Sequence, residues 1–425
     1  MTGRRDGADK MTRRRDGADQ MTKRRDGRGG AGLRGPGLRR PCLRGPGLRA
    51  GMGVGLVFVL AAAAWGQDTS SWFGGSITGQ AYALGAQPGG SGSLPPQGGW
   101  SWGSATTMSA GLGVKGQRTR AEASFDGAAL TGAGGAAALA AAAMPGSGLL
   151  VAGTAENALS FRLRTLWAKL DLDWATVQIG RQVVNYGRGA LWSPEDIFAS
   201  IDLSGATPDR LGSDAIRVGL PLGVTSGLDI VASPATDPGK GRYATRISGQ
   251  IAGVDSGALG AWDGGAGRMY AAADCKFDLG PSFYAEGLWS IDPASAEALA
   301  GSWARMVGGL DWSVGDFIFA AEYYWNGGGA AAITDVDPSF PARQYLYATA
   351  LWSFSDFGAL SLAATGDLEG LGASGGPLRI TVGANLDASQ NATIGTTADL
   401  VHGNFASRSS EGWTVNLGAF LKVKF

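Results

Sequence analysis

Apolar and polar residues alternate along much of the chain, most regularly at its end. In the closing stretch VNLGAFLKVKF, apolar residues occupy every second position, and Phe420 is the only large residue out of phase. The same period of two recurs in residues 118–128, 268–279, 378–388 and 391–401. Successive side chains of a β-strand point to opposite faces, so the pattern predicts strands with one apolar and one water-facing side.

The length of these segments and the way they are joined favour a membrane barrel over a soluble sandwich. The segments run roughly 10–12 residues, as spanning strands need, whereas soluble strands average roughly 5–6. Long loops such as 129–156 and 186–212 alternate with short turns. The short turns are predicted at Gly116-Gln117, Leu172-Asp173, Leu222-Gly223, Gly280-Pro281, Ser313-Val314, Ser355-Asp356 and Ser389-Gln390.

Aromatic residues gather beside the short turns, as expected where amphipathic rings settle at a membrane interface. They are Trp174, Phe277, Phe283, Trp312, Phe317, Trp352, Phe354 and Phe357. We therefore predict a closed antiparallel transmembrane β-barrel with short periplasmic turns and long extracellular loops.

The strand number follows from the need for an even count. The alternation gives 17 segments, and a weak strand at 258–264 raises the number to 18. Treating 242–253 as a loop instead gives 16. We prefer 18 strands and keep 16 as the alternative. Closure requires the last strand to pair with the first, near residues 71–84, because an unpaired edge is not tolerated in lipid.

The first 66 residues are set apart from the barrel. A run of apolar residues at 54–65 follows several arginines and precedes the small residues around Gly66, which is the layout of a secretory signal. We assign residues 39–66 to a signal peptide for general secretion, cleaved near Gly66, and residues 67–425 to the barrel. Residues 1–38 repeat a basic ten-residue unit, and we interpret them as low-complexity sequence that is disordered or not translated.

Composition narrows the functional classes once that leader is removed. Residues 1–66 hold 15 of the 36 basic and 5 of the 36 acidic residues, which leaves the remainder with a net charge of about −10. An acidic chain argues against a nucleic-acid partner. Only Cys275 stays in the barrel, so neither a disulfide framework nor a cysteine metal site is expected. Nothing marks a nucleophile near His402, the single histidine, and we predict no enzyme activity, metal or cofactor.

Two stretches resemble known outer-membrane proteins. The final phenylalanine, with apolar residues at every second position before it, is similar to the C-terminal signature that the barrel-assembly machinery reads in bacterial outer-membrane barrels. The matching residues are Leu417, Ala419, Leu421, Val423 and Phe425. The stretch IGRQVVNYGRGALWSPED resembles a motif of porin-like proteins, in which a strand ending in GRQ precedes a Tyr-Gly pair and a WSPED loop. The resemblance implies a channel or substrate-uptake porin in the outer membrane.

The loop at about 186–212 is the predicted constriction. Ser193 and Pro194 followed by two acids are typical of a helix start, and Ile197, Phe198 and Ile201 would form its apolar side. We expect this helix to fold into the lumen, where opposed charges would select small hydrophilic solutes. The candidate constriction residues are Arg181, Tyr186, Arg188, Trp192, Glu195 and Asp196.

Charged residues on the water-facing sides of the strands predict a wet interior. Those assigned to the lumen wall are Arg118, Arg120, Glu122, Asp126, Arg162, Arg164, Asp274, Lys276, Arg379, Asp387 and Asp399, with Lys422 and Lys424 beside them. The expected function is diffusion of small polar solutes through an outer-membrane porin, with lipid and the assembly machinery as partners and oligomerisation left open. The alternative is a non-conducting surface barrel, either an adhesin or an envelope-partner binder, that uses its long outer loops.

Overall fold

The computed structural model describes residues 70–86, 99–132, 149–154, 156–202, 209–295, 301–329, 340–373, 376–405 and 409–425. Nearly all of this is β-structure. The strands are β1 (Ser70–Ala86), β2 (Trp100–Lys115), β3 (Thr119–Gly132), β4 (Leu149–Gly153), β5 (Asn157–Asp171), β6 (Thr176–Gln182), β7 (Ser200–Asp202), β8 (Asp209–Leu211), β9 (Ser213–Pro221), β10 (Gly227–Ser233), β11 (Arg242–Ile251), β12 (Val254–Asp263), β13 (Arg268–Asp278), β14 (Ser282–Ile291), β15 (Trp303–Val314), β16 (Phe317–Asn326), β17 (Gln344–Ser355), β18 (Gly358–Asp367), β19 (Leu378–Ser389), β20 (Ala392–Asn404) and β21 (Ser409–Lys424). Short helical pieces are a 3-10 turn at Pro238–Lys240 and helix α1 at Leu368–Ala373.

Eighteen of these strands form a closed antiparallel barrel, because neighbours along the chain pair in turn and β21 pairs with β1. Two short elements stand outside this order. Strand β4 pairs with residues 158–162 in the first half of β5, whereas β6 pairs with residues 166–171 in its second half. Strand β4 is the nineteenth strand of the sheet. Strands β7 and β8 form a separate two-stranded ribbon within the connection from β6 to β9.

The prediction of 18 strands is confirmed, and the alternative of 16 is wrong. The weak segment expected at 258–264 belongs to β12, a full strand paired with both β11 and β13. Three predicted turns are displaced. Those at Ser355-Asp356 and Ser389-Gln390 fall one residue later than expected. The third moves by two residues, because β15 continues through Ser313 and Val314 and the chain reverses at Gly315-Asp316. Gly315 has φ of 56°, a left-handed conformation that glycine adopts without strain, which accounts for the turn's position.

The wall has two chemically distinct faces. On the apolar face large hydrophobic side chains stand exposed, among them Ile77, Leu112, Met269, Met306 and Leu421. The opposite, polar face carries charged residues such as Arg246, Asp274, Glu286 and Glu322, all of them buried. Aromatic pairs flank the short turns on the apolar face, including Phe277 with Phe283 at 5.6 Å and Phe317 with Trp352 at 5.7 Å between ring centroids.

The two ends of the barrel meet along a continuous seam. Register runs from Ser76 opposite Lys424 to Ala86 opposite Thr414. The backbones of Gly75 and Phe425 exchange both hydrogen bonds at 3.0 Å, and the Phe425 ring lies 5.8 Å from that of Phe73. The five residues proposed as an assembly signature share the apolar face of β21. Phe420, the residue out of phase, lies on the polar face, where it packs over Gly395 of β20.

The proposed leader and signal segments, residues 1–38 and 39–66, lie outside the described residues. Within the part of the chain that is described, no helix is long and apolar enough to span a membrane.

Candidate functional site

The connection between β6 and β9 binds to one wall of the barrel. We call residues 183–202 and 209–212 the docked segment. Its first half runs along the polar face of β11, β13, β14 and β16, whose buried charged side chains contact its backbone and its side chains. These strands are distant in sequence, so the docking is a long-range tertiary contact.

Two glutamates of the wall bind consecutive backbone amides of the docked segment. Glu286 of β14 accepts from the N–H groups of Arg188 and Gly189, the latter at 2.6 Å, and from the Ser193 hydroxyl at 3.0 Å. Glu322 of β16 accepts from the next three amides, residues 190–192, and from the Tyr284 hydroxyl at 2.6 Å. Buried backbone amides need acceptors, and these two side chains supply them, so they fix five successive amides of the segment.

Asp196 folds the docked segment back on itself. Its Oδ1 accepts from the amides of Tyr186 and Gly187 at 2.7 and 3.0 Å, and its Oδ2 from Arg210 Nε at 2.6 Å. Gly187 is needed in this tight reversal, since a Cβ there would lie 1.4 Å from Ser193 Oγ. The sequence pair Tyr-Gly therefore reflects a close approach within the segment.

A second set of charges joins the segment to β11 and β13. Asp274 of β13 pairs with Arg188 Nε at 2.7 Å and with Arg246 Nη2 at 2.5 Å. The Arg246 guanidinium also lies over the Tyr186 ring, 5.3 Å from its centroid, and Arg217 approaches the same ring at 5.6 Å. Burial raises the pKa of Tyr186 above its usual value, so the hydroxyl stays protonated.

The tip of the segment is held by aromatic rings. Trp192 is buried and stacks on Tyr324 at 5.3 Å, with Phe340 edge-on at 5.4 Å. Phe340 belongs to the connection after β16, so a second loop covers the tip. Ile197 and Phe198 join a separate apolar cluster with Val231, Leu259 and Leu288.

Glu195 is the exception among these satisfied groups. Its side chain is fully buried, and neither carboxylate oxygen has a hydrogen-bond partner among the described residues. The nearest cation is Arg246, whose Nε lies 3.5 Å from Oε2. Burial, followed by repulsion from Asp274 and Glu286, raises the pKa of Glu195 to about 8.

The predicted helix starting at Ser193 is wrong. Pro194 and Glu195 form a single turn, closed by Asp196 N–H on Ser193 O at 3.1 Å, and the chain becomes extended again in β7. The capping hydroxyl of Ser193 is used by Glu286, and Asp196 binds amides upstream of it. Tertiary partners thus take the groups that a helix N-terminus would have needed.

Five of the six candidate constriction residues come together where the docked segment meets the wall. Tyr186, Trp192, Glu195 and Asp196 are buried, and Arg188 is largely covered by Asp274. Arg181 is elsewhere: it shares the apolar face of β6 with Ile179 and forms a two-bond ion pair with Asp214 of β9 at 3.0 Å. Arg181 therefore does not lie with the other five, because the side-chain period of two points it away from them.

The predicted wall charges fall into three groups. Arg118 lies in the turn before β3, paired with Asp173 at 3.0 Å and well exposed. Others form ion pairs or hydrogen bonds, most of them between strands. These are Arg120 with Glu122, Arg164 with Asp126, Lys276 with Asp311, Arg379 with Asp399, and Asp387 with Thr393. Arg162 lies on β5 opposite Asp126, and Asp274 belongs to the docking site.

A cavity of about 520 Å³ lies between the docked segment and the wall across from its anchors. Strands β1, β2, β3, β5 and β21 line it together with Val183 and Arg210 of the segment. Its charged residues are Glu122, Asp126, Arg164, Arg210, Lys422 and Lys424. Four of the six carry a partner of opposite charge, and neither Lys422 nor Lys424 has one among the described residues.

Sequence reasoning missed Glu286 and Glu322, the two main anchors. Each is a lone acid in the middle of an otherwise apolar and aromatic strand, in SFYAEGLWSI and FIFAAEYYWN. An isolated ionisable residue at membrane depth is functional by default, so the signal was present. In the part of the chain that the structure covers, no group of three His, Cys, Asp or Glu residues could hold a metal ion.

Comparison with known proteins identifies similar folds. No protein-family model matches the chain, and no curated protein sequence matches it. Among solved structures, Pseudomonas aeruginosa OccK5 (OpdH) matches with a TM-score of 0.50 and 9% identity, over 83% of this chain and 98% of that one. OccK7 (OpdD) of the same organism matches with 0.50 and 8%, over 84% and 99%. Escherichia coli Wzi, described as an outer-membrane carbohydrate-binding β-barrel in capsule assembly, matches with 0.49 and 13%, over 88% of each chain. The likeness to OccK5 and OccK7 shows a shared β-barrel fold.

Proposed function

We propose that this protein is an outer-membrane channel through which small hydrophilic solutes diffuse. The docked segment folds inside the barrel and fills the side next to β11–β17. Solutes pass along the remaining side, beside β1–β5 and β21. The observation that carries the proposal is the charged cavity between segment and wall, because a polar passage with low-affinity contacts suits diffusion of hydrated solutes.

Other features support the membrane setting. The exposed apolar face and its aromatic pairs suit contact with lipid, and the paired seam leaves no open strand edge. The chain shares its barrel fold with OccK5 and OccK7. Export by the proposed signal peptide, cleavage near Gly66 and recognition of the β21 signature by the assembly machinery belong to this proposal. The proposal also holds that the protein is not an enzyme.

Single-channel recording on the purified protein in planar bilayers tests the channel. We expect stable open steps whose size is set by a passage narrowed on one side. A protein that runs as a folded barrel on unheated gels yet passes no current would contradict the proposal and favour the surface-binding alternative. The docked segment argues against that alternative, since its residues face the wall and are not presented outside.

Replacing both Lys422 and Lys424 by glutamine should shift the ion preference of the channel. These lysines line the passage without acidic partners, so they attract anions, whereas the other cations there are neutralised locally. We expect the anion-to-cation permeability ratio, measured from reversal potentials, to fall by about twofold, with a smaller change at high salt because of screening. The control is Lys240→Gln, an exposed lysine in the 3-10 turn. An equal shift in both proteins would show that the passage lies elsewhere.

A further inference from the structure

The docking of the segment depends on one acid that has no satisfying partner. Glu195 is enclosed where the docked segment meets β11, β13 and β14. Asp274 and Glu286 lie directly opposite each other on adjacent strands, and both face this position. The oxygens of Asp274 are taken by two arginines, and those of Glu286 by two amides and a hydroxyl.

The surrounding charges do not balance an ionised Glu195. Arg188 pairs with Asp274, and Asp196 is matched by Arg210. Arg246 is shared between Asp274, at 2.5 Å, and Glu195, at 3.5 Å. Tyr186, the remaining titratable group of the segment nearby, is neutral. Glu195, Asp274 and Glu286 therefore present three carboxyl groups to two guanidinium groups. A buried carboxylate that accepts no hydrogen bond is costly, whereas a neutral acid at the same place is tolerated.

We infer that Glu195 makes the docking pH-dependent: the docked segment holds it as a neutral acid, and its ionisation releases the segment from the wall and widens the passage. The proton leaves to water when the carboxyl group becomes exposed. This inference rests on the proposed function only for its effect on conduction, since release itself can be measured separately.

The direction of the pH effect follows from linkage. The pKa of Glu195 in the docked state, about 8, lies above the usual value of 4.5 for an exposed glutamate. Docking is then strongest below the lower value and weakens as pH rises towards the higher one. Between them, the ratio of released to docked segment should increase by up to about tenfold per pH unit. Above about pH 8 no further weakening is expected from this group.

Two readouts test the inference on the intact protein. Hydrogen exchange of the amides of residues 186–192, corrected for intrinsic rates, should accelerate as pH rises from about 6 to about 9, and mean conductance should rise reversibly with it. Glu195→Gln keeps the shape without the charge and should abolish both changes. Glu156→Gln, in an exposed connection, should leave them as in the unmodified protein.

The outcomes separate the two proposals. Exchange and conductance that stay constant with pH in the unmodified protein overturn the inference without any variant. The inference is also overturned if exchange and conductance of the Glu195→Gln protein change with pH as they do in the unmodified protein. pH-dependent exchange in a barrel that never conducts supports release of the segment and overturns only the proposed channel.

Discussion

Replacing Glu322 by alanine should free the tip of the docked segment and enlarge the channel. Three amides and the Tyr284 hydroxyl lose their common acceptor, and hydrogen bonds to a charged group contribute roughly 1.5–3 kcal/mol each. The freed amides recover part of this hydrogen-bond energy by binding water. We therefore expect the free energy of docking to weaken by about 3 kcal/mol, or roughly a hundredfold in the docked-to-free ratio. The measurement is single-channel conductance, with larger and noisier open steps expected.

Two variants sharpen this experiment. Glu322→Gln retains one acceptor oxygen without the charge and should give an intermediate effect. Glu156→Ala removes an exposed glutamate and should conduct like the unmodified protein. If Glu322→Ala folds, as judged by its mobility on unheated gels, and still gives unmodified steps, then the backbone contacts of Glu322 do not hold the segment.

Replacing Gly75 by valine should prevent closure of the barrel. A Cβ at this position would lie 2.3 Å from Ser109 O, 2.9 Å from the Phe425 ring and 3.0 Å from Ala110 Cα. Backbone atoms cannot yield locally, so the seam of β1 with β2 and β21 must open. Overpacking commonly costs about 1–3 kcal/mol and more where backbone is involved. We expect the yield of folded, heat-modifiable barrel to fall at least tenfold, by about 1.4 kcal/mol or more.

The same strand supplies the matched control. Gly79 lies on β1 four residues further on, on the same face, and a Cβ there would meet nothing within 4 Å. Gly79→Val should fold as well as the unmodified protein, since valine favours strands. Equal yields for the two valine variants would mean that the seam tolerates the added volume.

The wall of the barrel could be read from the sequence because its determinants are local. Alternation in residues 378–388 and in the closing stretch fixes which side chains face which way, and the observed strands end within a few residues of the expected positions. The position of Arg181 also follows from the alternation: it stands two positions after Ile179 and therefore shares its apolar face. The prediction instead grouped Arg181 with the loop motif that follows it in the sequence.

The contacts of the docking site could not be predicted from local alternation. Glu195 and Asp196 were expected to line a pore, but both are buried. Asp196 binds amides of the segment and Arg210, and no local pattern reveals these contacts. Whether a loop acid faces solvent or a wall depends on which strand lies across the barrel, and this follows from closure and register. The wall glutamates, as lone acids in apolar strands, were the available clue to where the loop would bind.

The wide sequence separation of the docking contacts has a consequence for the order of folding. The amide of Arg188 meets Glu286 across 98 residues, and that of Ala190 meets Glu322 across 132. Contacts that close such long chain segments form late, because their entropic cost is incurred before they contribute any stability. The binding site of the segment is therefore incomplete until β16 has joined the growing sheet. Until then Glu286 and Glu322 stay hydrated, and water leaves this wall only in the last stage of assembly.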